Sequence, residues 1–197
     1  DGDRVEAARI GLEIGFDFAT RRISTDSIVI AGTPSEVAQA VAPHFPSLVH
    51  DAVLDMLNEE AAMAPQVEAV PLIPFLKGLR AQGWKLGVAT NDSEDSALAH
   101  LHSAGVVELF DFIAGFDSGY GAKPDAGQLN AFYAQTGCDP SRVAMVGDST
   151  HDLKAGAAAG MRCIGVLTGM APREVLAPQA EAVFPDIGHI PDWLQTS

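Results

Sequence analysis

From Val70 onward the chain alternates stretches of helical period with short apolar runs that end in polar loops, and this alternation limits the fold more than any other feature. The pattern predicts helix over 74–82 closed by Gly83, strand over 85–89, helix over 93–103 closed by Gly105, and strand over 112–116. It continues with helix over 126–137, strand over 143–146, helix over 153–160, and strands near 162–167 and 182–184. Such alternation is the signature of an α/β protein with a doubly wound parallel sheet. Residues 1–69 read differently, as helices with no convincing sheet. One helix is expected over 4–18. A second, over 35–42, is opened by Thr33-Pro34 with Glu36 in its first turn. A third spans 47–64, with Val49, Val53 and Leu57 as its apolar stripe. Pro65 and Pro71 mark the change, so the expected division is 1–69 and 70–197.

The strand ends carry the chemistry. Val143-Ala-Met-Val-Gly-Asp-Ser-Thr-His-Asp152 is an apolar run that stops at Gly147 and delivers two carboxylates, Asp148 and Asp152, four residues apart. Close carboxylates on a tight loop suit a hard divalent cation such as Mg²⁺. The same residues also make an ordinary capped helix start, with Asp148 or Ser149 as N-cap. A second strand, Trp84-Lys-Leu-Gly-Val-Ala-Thr-Asn-Asp92, ends in Thr90, Asn91 and Asp92. Gly121-Ala-Lys-Pro124 sets Lys123 in a loop just after Phe112-Ile-Ala-Gly-Phe116. In a parallel sheet these ends converge on one edge. Together they supply hydroxyl and amide donors, a fixed positive charge and a metal platform, which is what a phosphate group requires.

In this ordered set the chain resembles the haloacid dehalogenase-like hydrolases. Thr90-Asn91 resembles that family's second motif, Lys123 its third, and Gly147-Asp148-Ser-Thr-His-Asp152 its fourth. The helix from Val70 to Gly83 and the one from Asp152 to Gly160 are similar to the helices flanking those motifs. The loop Ser118-Gly-Tyr-Gly-Ala-Lys-Pro124 is most similar to phosphoglycolate phosphatase-like members. The resemblance covers roughly residues 70–185. It implies a Rossmann-like hydrolase core, with the helical residues 1–69 as a small cap that covers the site and selects substrate.

The family's first motif, an apolar strand followed by Asp-x-Asp-Gly-Thr, is not in this chain. Asp1-Gly-Asp3 has the Asp-x-Asp spacing, but no strand precedes it and Arg4-Val-Glu-Ala-Ala-Arg-Ile continues as helix. Those two acids read as solvated charges near a helix N-terminus. In the family the first-motif strand lies mid-sheet, between the strands ending at Thr90 and Val146. Its removal would leave two strands with unpaired backbone groups. The expectation is therefore that residues upstream of Asp1 carry it in the native protein.

The resemblance implies a two-step phosphoryl transfer. An aspartate of the first motif attacks phosphorus, and a second aspartate two positions later serves as general acid and then base. Asp148 would hold Mg²⁺, with Asp152 joining it or orienting the groups around it. The Thr90 hydroxyl and the Asn91 N–H would bind phosphoryl oxygens, and Lys123 would neutralise developing charge. The expected partner is a small phosphorylated metabolite, phosphoglycolate first among them. Two alternatives stand beside this one: a non-catalytic phosphate- or metal-binding relative without the nucleophile, and a metal-independent dehalogenase. A receiver-type signalling domain shares strand-end carboxylates and a lysine, but the helical segment and motif order fit it poorly.

Composition bounds these readings. A net charge of −14 argues against nucleic acid or an anionic membrane as partner. No apolar run approaches a membrane span. Two cysteines, Cys138 and Cys163, offer no disulfide framework and fit a reducing compartment, the cytoplasm. His100 and His102, two apart on a helix, point in different directions and read as solvated side chains. His151 reads as a surface histidine. The acids Asp92 to Asp95 complement a helix N-terminus.

Overall fold

A computed structural model describes residues 2–24 and 27–196. The chain divides into two compact units, Asp1–Met63 and Ala64–Ser197.

In the first unit, α1 (Gly2–Glu13) is followed by a short antiparallel hairpin of β1 (Phe16–Asp17) and β2 (Arg22–Ile23). The sequence pattern ran helix through residue 18. The chain instead breaks at Gly15, whose φ of +84° suits glycine alone, and the Gly15 carbonyl accepts the Ser24 N–H at 2.7 Å. Helices α2 (Ile28–Ala31), α3 (Pro34–Val41) and α4 (His50–Met63) complete the unit. The start of α3 is a full capping box: Thr33 Oγ1 accepts the Glu36 N–H, and the Glu36 carboxylate accepts the Thr33 N–H. Val37, Ala38, Val41 and Val53 form the core, packed by Ile10, Ile14 and Leu57. Val49, expected in the stripe of α4, precedes that helix and is exposed.

The second unit carries the α/β alternation. It comprises α5 (Leu72–Ala81), β3 (Gly87–Ala89), α6 (Glu94–Ser103), β4 (Phe112–Ala114) and α7 (Gly127–Thr136). Then come β5 (Ala144–Gly147), α8 (Thr150–Ala158), β6 (Arg162–Val166), α9 (Arg173–Leu176), β7 (Ala182–Phe184) and α10 (Ile190–Thr196). Every expected strand of this unit is present, most of them shorter by a residue or two. Helix α5 ends as its sequence suggests: Gly83 N–H donates to Arg80 O and Trp84 N–H to Leu79 O, a Schellman closure around glycine at positive φ.

All ladders in this unit are parallel, but they fall into two groups. β3 pairs with β4, in register Gly87↔Phe112 to Ala89↔Ala114. β5 pairs with β6, and β6 with β7. No ladder joins β3 to β5 among the described residues. A cleft of about 510 Å³ is lined from both sides, by Val88 and Ala89 of β3 and by Met145 and Val146 of β5, with Leu76 and Leu194 closing it. The two groups share one core, in which Phe112, Leu129, Phe132 and Met145 pack together. Helix α8 lies so close on β5 that a Cβ at Gly156 would sit 2.7 Å from the Met145 Cβ. Only its sheet-facing small residues, Ala155 and Gly156, are buried; Ala157 and Ala158 face solvent.

Candidate active site

Thr90, Lys123, Asp148 and Asp152 all follow the C-terminal ends of parallel strands, and the second unit brings them together. Lys123 is the centre. Its Nζ donates to Asp152 Oδ1 at 2.6 Å and to the Ala89 carbonyl at 2.7 Å, with the lysine side chain 12% and the aspartate 9% exposed. A cation removed from water and held by only two acceptors keeps a strong local field, because few solvent dipoles screen it.

The loop bearing Lys123 is fixed by Asn91. The Asn91 Nδ2 donates to Lys123 O at 2.9 Å, and Lys123 N–H donates to Asn91 Oδ1 at 2.8 Å. The Asn91 side chain is thus occupied with the lysine loop. Thr90 closes β3, donating its N–H to Ala114 O at 3.0 Å. Its Oγ1 accepts the Asp92 N–H at 3.0 Å and lies 3.3 Å from Asp92 Oδ2.

On the other side, Ser149 is the N-cap of α8, and the Asp152 carboxylate completes a capping box by accepting the Ser149 N–H at 3.1 Å. Asp152 therefore divides its oxygens, Oδ1 to Lys123 and Oδ2 to Ser149. Its packing accounts for Gly147, where any Cβ would stand 2.1 Å from the Asp152 Cβ. Asp148 accepts its own backbone N–H, and among the described residues no side-chain hydrogen bond to it is found. Burial pushes its carboxyl above the usual carboxylate range, the negative Asp152 adds to the rise, and Lys123 works against it. Gly169 leaves room for the Asp148 carboxylate, which a Cβ there would approach to 2.5 Å.

The donor set bears on a cation directly. Asp152 already accepts Lys123 on Oδ1 and Ser149 on Oδ2, whereas burial and the neighbouring Asp152 both disfavour the Asp148 charge, which a cation would relieve. Among the described residues no cluster of three His, Cys, Asp or Glu side chains forms. Mg²⁺ is commonly held by one or two carboxylates, waters and substrate phosphate, and Asp148 is a donor of that kind.

The remaining candidates lie elsewhere or act differently. His102 Nδ1 donates to Leu98 O of its own helix at 2.8 Å. His151 is partly buried in the first turn of α8. Asp1 and the side chain of Asp3 lie outside the described residues. Cys138 and Cys163 are both free thiols. No described helix is long and apolar enough to cross a membrane. One residue escaped the sequence reading: Gln128, fully buried in α7, donates its Nε2 to Thr90 O at 2.8 Å and to Gly115 O at 3.0 Å. The signal for it was a polar residue beside Leu129 on the buried face of a helix.

Comparison with known proteins bears on the family and the fold. Residues 27–166 match the family model described as haloacid dehalogenase-like hydrolase. The phosphoglycolate phosphatase of Rhodospirillum rubrum is 34% identical over 122 residues, 62% of this chain and 51% of the relative, so the match spans about half of that protein. The pyrophosphatase PpaX of Bacillus pumilus is 28% identical over 184 residues, covering 82% of this chain and 85% of the relative. The crystal structure of a predicted phosphoglycolate phosphatase from Haemophilus somnus 129pt superposes with a TM-score of 0.72 at 19% identity, over 96% of this chain and 88% of that one. At that identity the likeness is one of fold. With a family match across most of its length, the chain belongs to the haloacid dehalogenase-like hydrolases.

Proposed function

We propose that this chain provides the phosphate-handling machinery of a Mg²⁺-dependent phosphatase that hydrolyses a small phosphate monoester of the phosphoglycolate type. The observation that carries the reading is the part-buried Lys123, tied at once to Ala89 O at the end of β3 and to Asp152 at the start of α8. It sets a fixed cation between a hydroxyl-and-amide loop and a carboxylate loop.

In this mechanism the Thr90 hydroxyl turns from Asp92 to a phosphoryl oxygen, and the Asn91 N–H donates to another. Lys123 neutralises charge that develops as an aspartate attacks phosphorus in line and the ester oxygen leaves. Water then opens the aspartyl-phosphate. Asp148 would hold the Mg²⁺, and Asp152 would orient Lys123 and the loop around Asp148. A bound Mg²⁺ supplies neutralisation of the phosphoryl oxygens. The nucleophilic aspartate needs a strand that ends beside Lys123. The cleft between β3 and β5, apolar and bounded by two strand edges, supports placing it there. Residues 1–69 act as the cap. The free thiols suit the reducing cytoplasm.

The match to PpaX over most of the chain favours a second substrate reading, inorganic pyrophosphate. The test is phosphate release by the whole protein from phosphoglycolate, from other small monoesters and from pyrophosphate, each with Mg²⁺ and with EDTA. Mg²⁺-dependent release from a monoester supports the proposal, and a preference for pyrophosphate moves it to the anhydride. Release from none of them, or dehalogenation that survives EDTA, overturns it.

A further inference from the structure

Thr90 ends β3 in a way its ladder does not account for. Carried one residue past Ala89↔Ala114, the register sets Thr90 opposite Gly115. A residue so placed in a parallel ladder donates to Ala114 O and accepts from the Phe116 N–H. The first bond is present, at 3.0 Å. The second is not: the Phe116 N–H donates to Asp92 O at 3.0 Å, and the Thr90 carbonyl accepts Gln128 Nε2 at 2.8 Å instead. The same nitrogen serves Gly115 O at 3.0 Å, so one side-chain amide satisfies both facing carbonyls where the strands part.

Gln128 is completely buried, and its Oε1 is among the buried polar atoms without a partner. An unpaired buried acceptor is unfavourable, so apolar filling would suit this position better if packing were all it did. We propose that Gln128 is a positioning residue for the phosphate loop. It stands in for the Phe116 N–H, letting β3 leave β4 at Thr90 so that the Thr90 hydroxyl faces the anion. Without it, the Thr90 carbonyl recaptures Phe116, the strands zip one step further, and the loop flattens. The inference rests on the phosphatase reading.

Two variants of the whole protein test it. Gln128→Met keeps the length and removes the donor. Gln128→Glu keeps the shape and presents an acceptor to two carbonyls, which raises the carboxyl's pKa; only its protonated form can donate to Thr90 O. In Gln128→Met, kcat for the preferred phosphate ester should fall about tenfold or more at every pH. Gln128→Glu should regain activity as pH falls, relative to the parent. Amide hydrogen exchange, which needs no substrate, should change at Phe116 and Asn91 in Gln128→Met. A role in packing alone gives the two variants the same pH profile. That result, or unchanged kcat, or unchanged exchange at Phe116 in an active parent, overturns the part given to Gln128. A parent that hydrolyses no phosphate ester overturns the phosphatase reading and the loop's role with it.

Discussion

Replacing Lys123 by Met should destabilise the α/β unit, for a reason specific to its surroundings. Asp152 would keep its charge while 9% exposed, with the cation 2.6 Å away removed. Breaking a buried ion pair from one side typically costs about 3–5 kcal/mol, because the surviving charge stays desolvated. Asp152 retains the Ser149 N–H and hydroxyl and the N-terminus of α8, so the low end applies, about 3 kcal/mol. For a protein of this size that is a fall in Tm of about 6–12 °C. Asp152→Asn strands the lysine instead, with Ala89 O as its remaining partner. The double variant Lys123→Met/Asp152→Asn strands nothing, so it should be more stable than the sum of the single losses by about 1–3 kcal/mol. Urea unfolding followed by tryptophan fluorescence measures this cleanly, because both tryptophans, Trp84 and Trp193, lie in the α/β unit. A loss under about 1 kcal/mol for Lys123→Met, the range of exposed pairs, would refute the reasoning. So would strict additivity in the double variant.

Lys123→Ala should lower kcat at least tenfold in the whole protein, whereas a change confined to KM would assign the lysine to uniform binding. Asp148→Asn should abolish Mg²⁺-dependent hydrolysis and the rise in Tm on adding Mg²⁺ without unfolding the chain; near-normal turnover would remove Asp148 from the metal. Gly147→Ala should destabilise the α/β unit, since its Cβ would overlap that of Asp152 at 2.1 Å, and an unchanged urea midpoint would count against that packing. Asp111 gives a pH signature. Burial pushes its carboxyl up, but the Leu86 N–H, Lys85 and Arg80 together hold it below the usual range. Its contribution is therefore complete above the unfolded carboxylate pKa of about 3.9 and lost as pH falls through the lower folded value. Asp111→Asn should be less stable than the parent at pH 7, and the gap should close below about pH 4; a gap constant across that window would refute the assignment.

What the sequence made legible were features decided within a few residues. The opening of a helix at Thr33 with Glu36 in its first turn, the glycine closures at Gly83 and Gly105, and the strand at Ala182–Phe184 all follow from local chemistry. The hairpin at residues 16–23 did not, because Phe16-Asp17 and Arg22-Ile23 are too short for alternation to register and only the Gly15 backbone breaks the helix. Within the site, residue types at strand ends announced Thr90, Lys123, Asp148 and Asp152. The division of labour among them was not legible. That the Asn91 side chain serves the lysine loop, or that Asp152 holds lysine and serine together, depends on contacts between segments about 30 residues apart. The position of Gln128 left a trace beside Leu129, but its role did not, since its worth lies in two carbonyls that only folding brings to it.

The paired bonds between Asn91 and Lys123 have a consequence for anyone redesigning this site. Each residue both gives and receives, so the two loops behave as one mechanical part with two chain origins. A lengthened or shortened turn at 118–124 would drag the Thr90–Asn91 turn with it, and a substitution at Asn91 would release the lysine from its post. Libraries that vary one loop while holding the other constant should yield mostly inactive members; the productive unit of exchange is the two segments transplanted together.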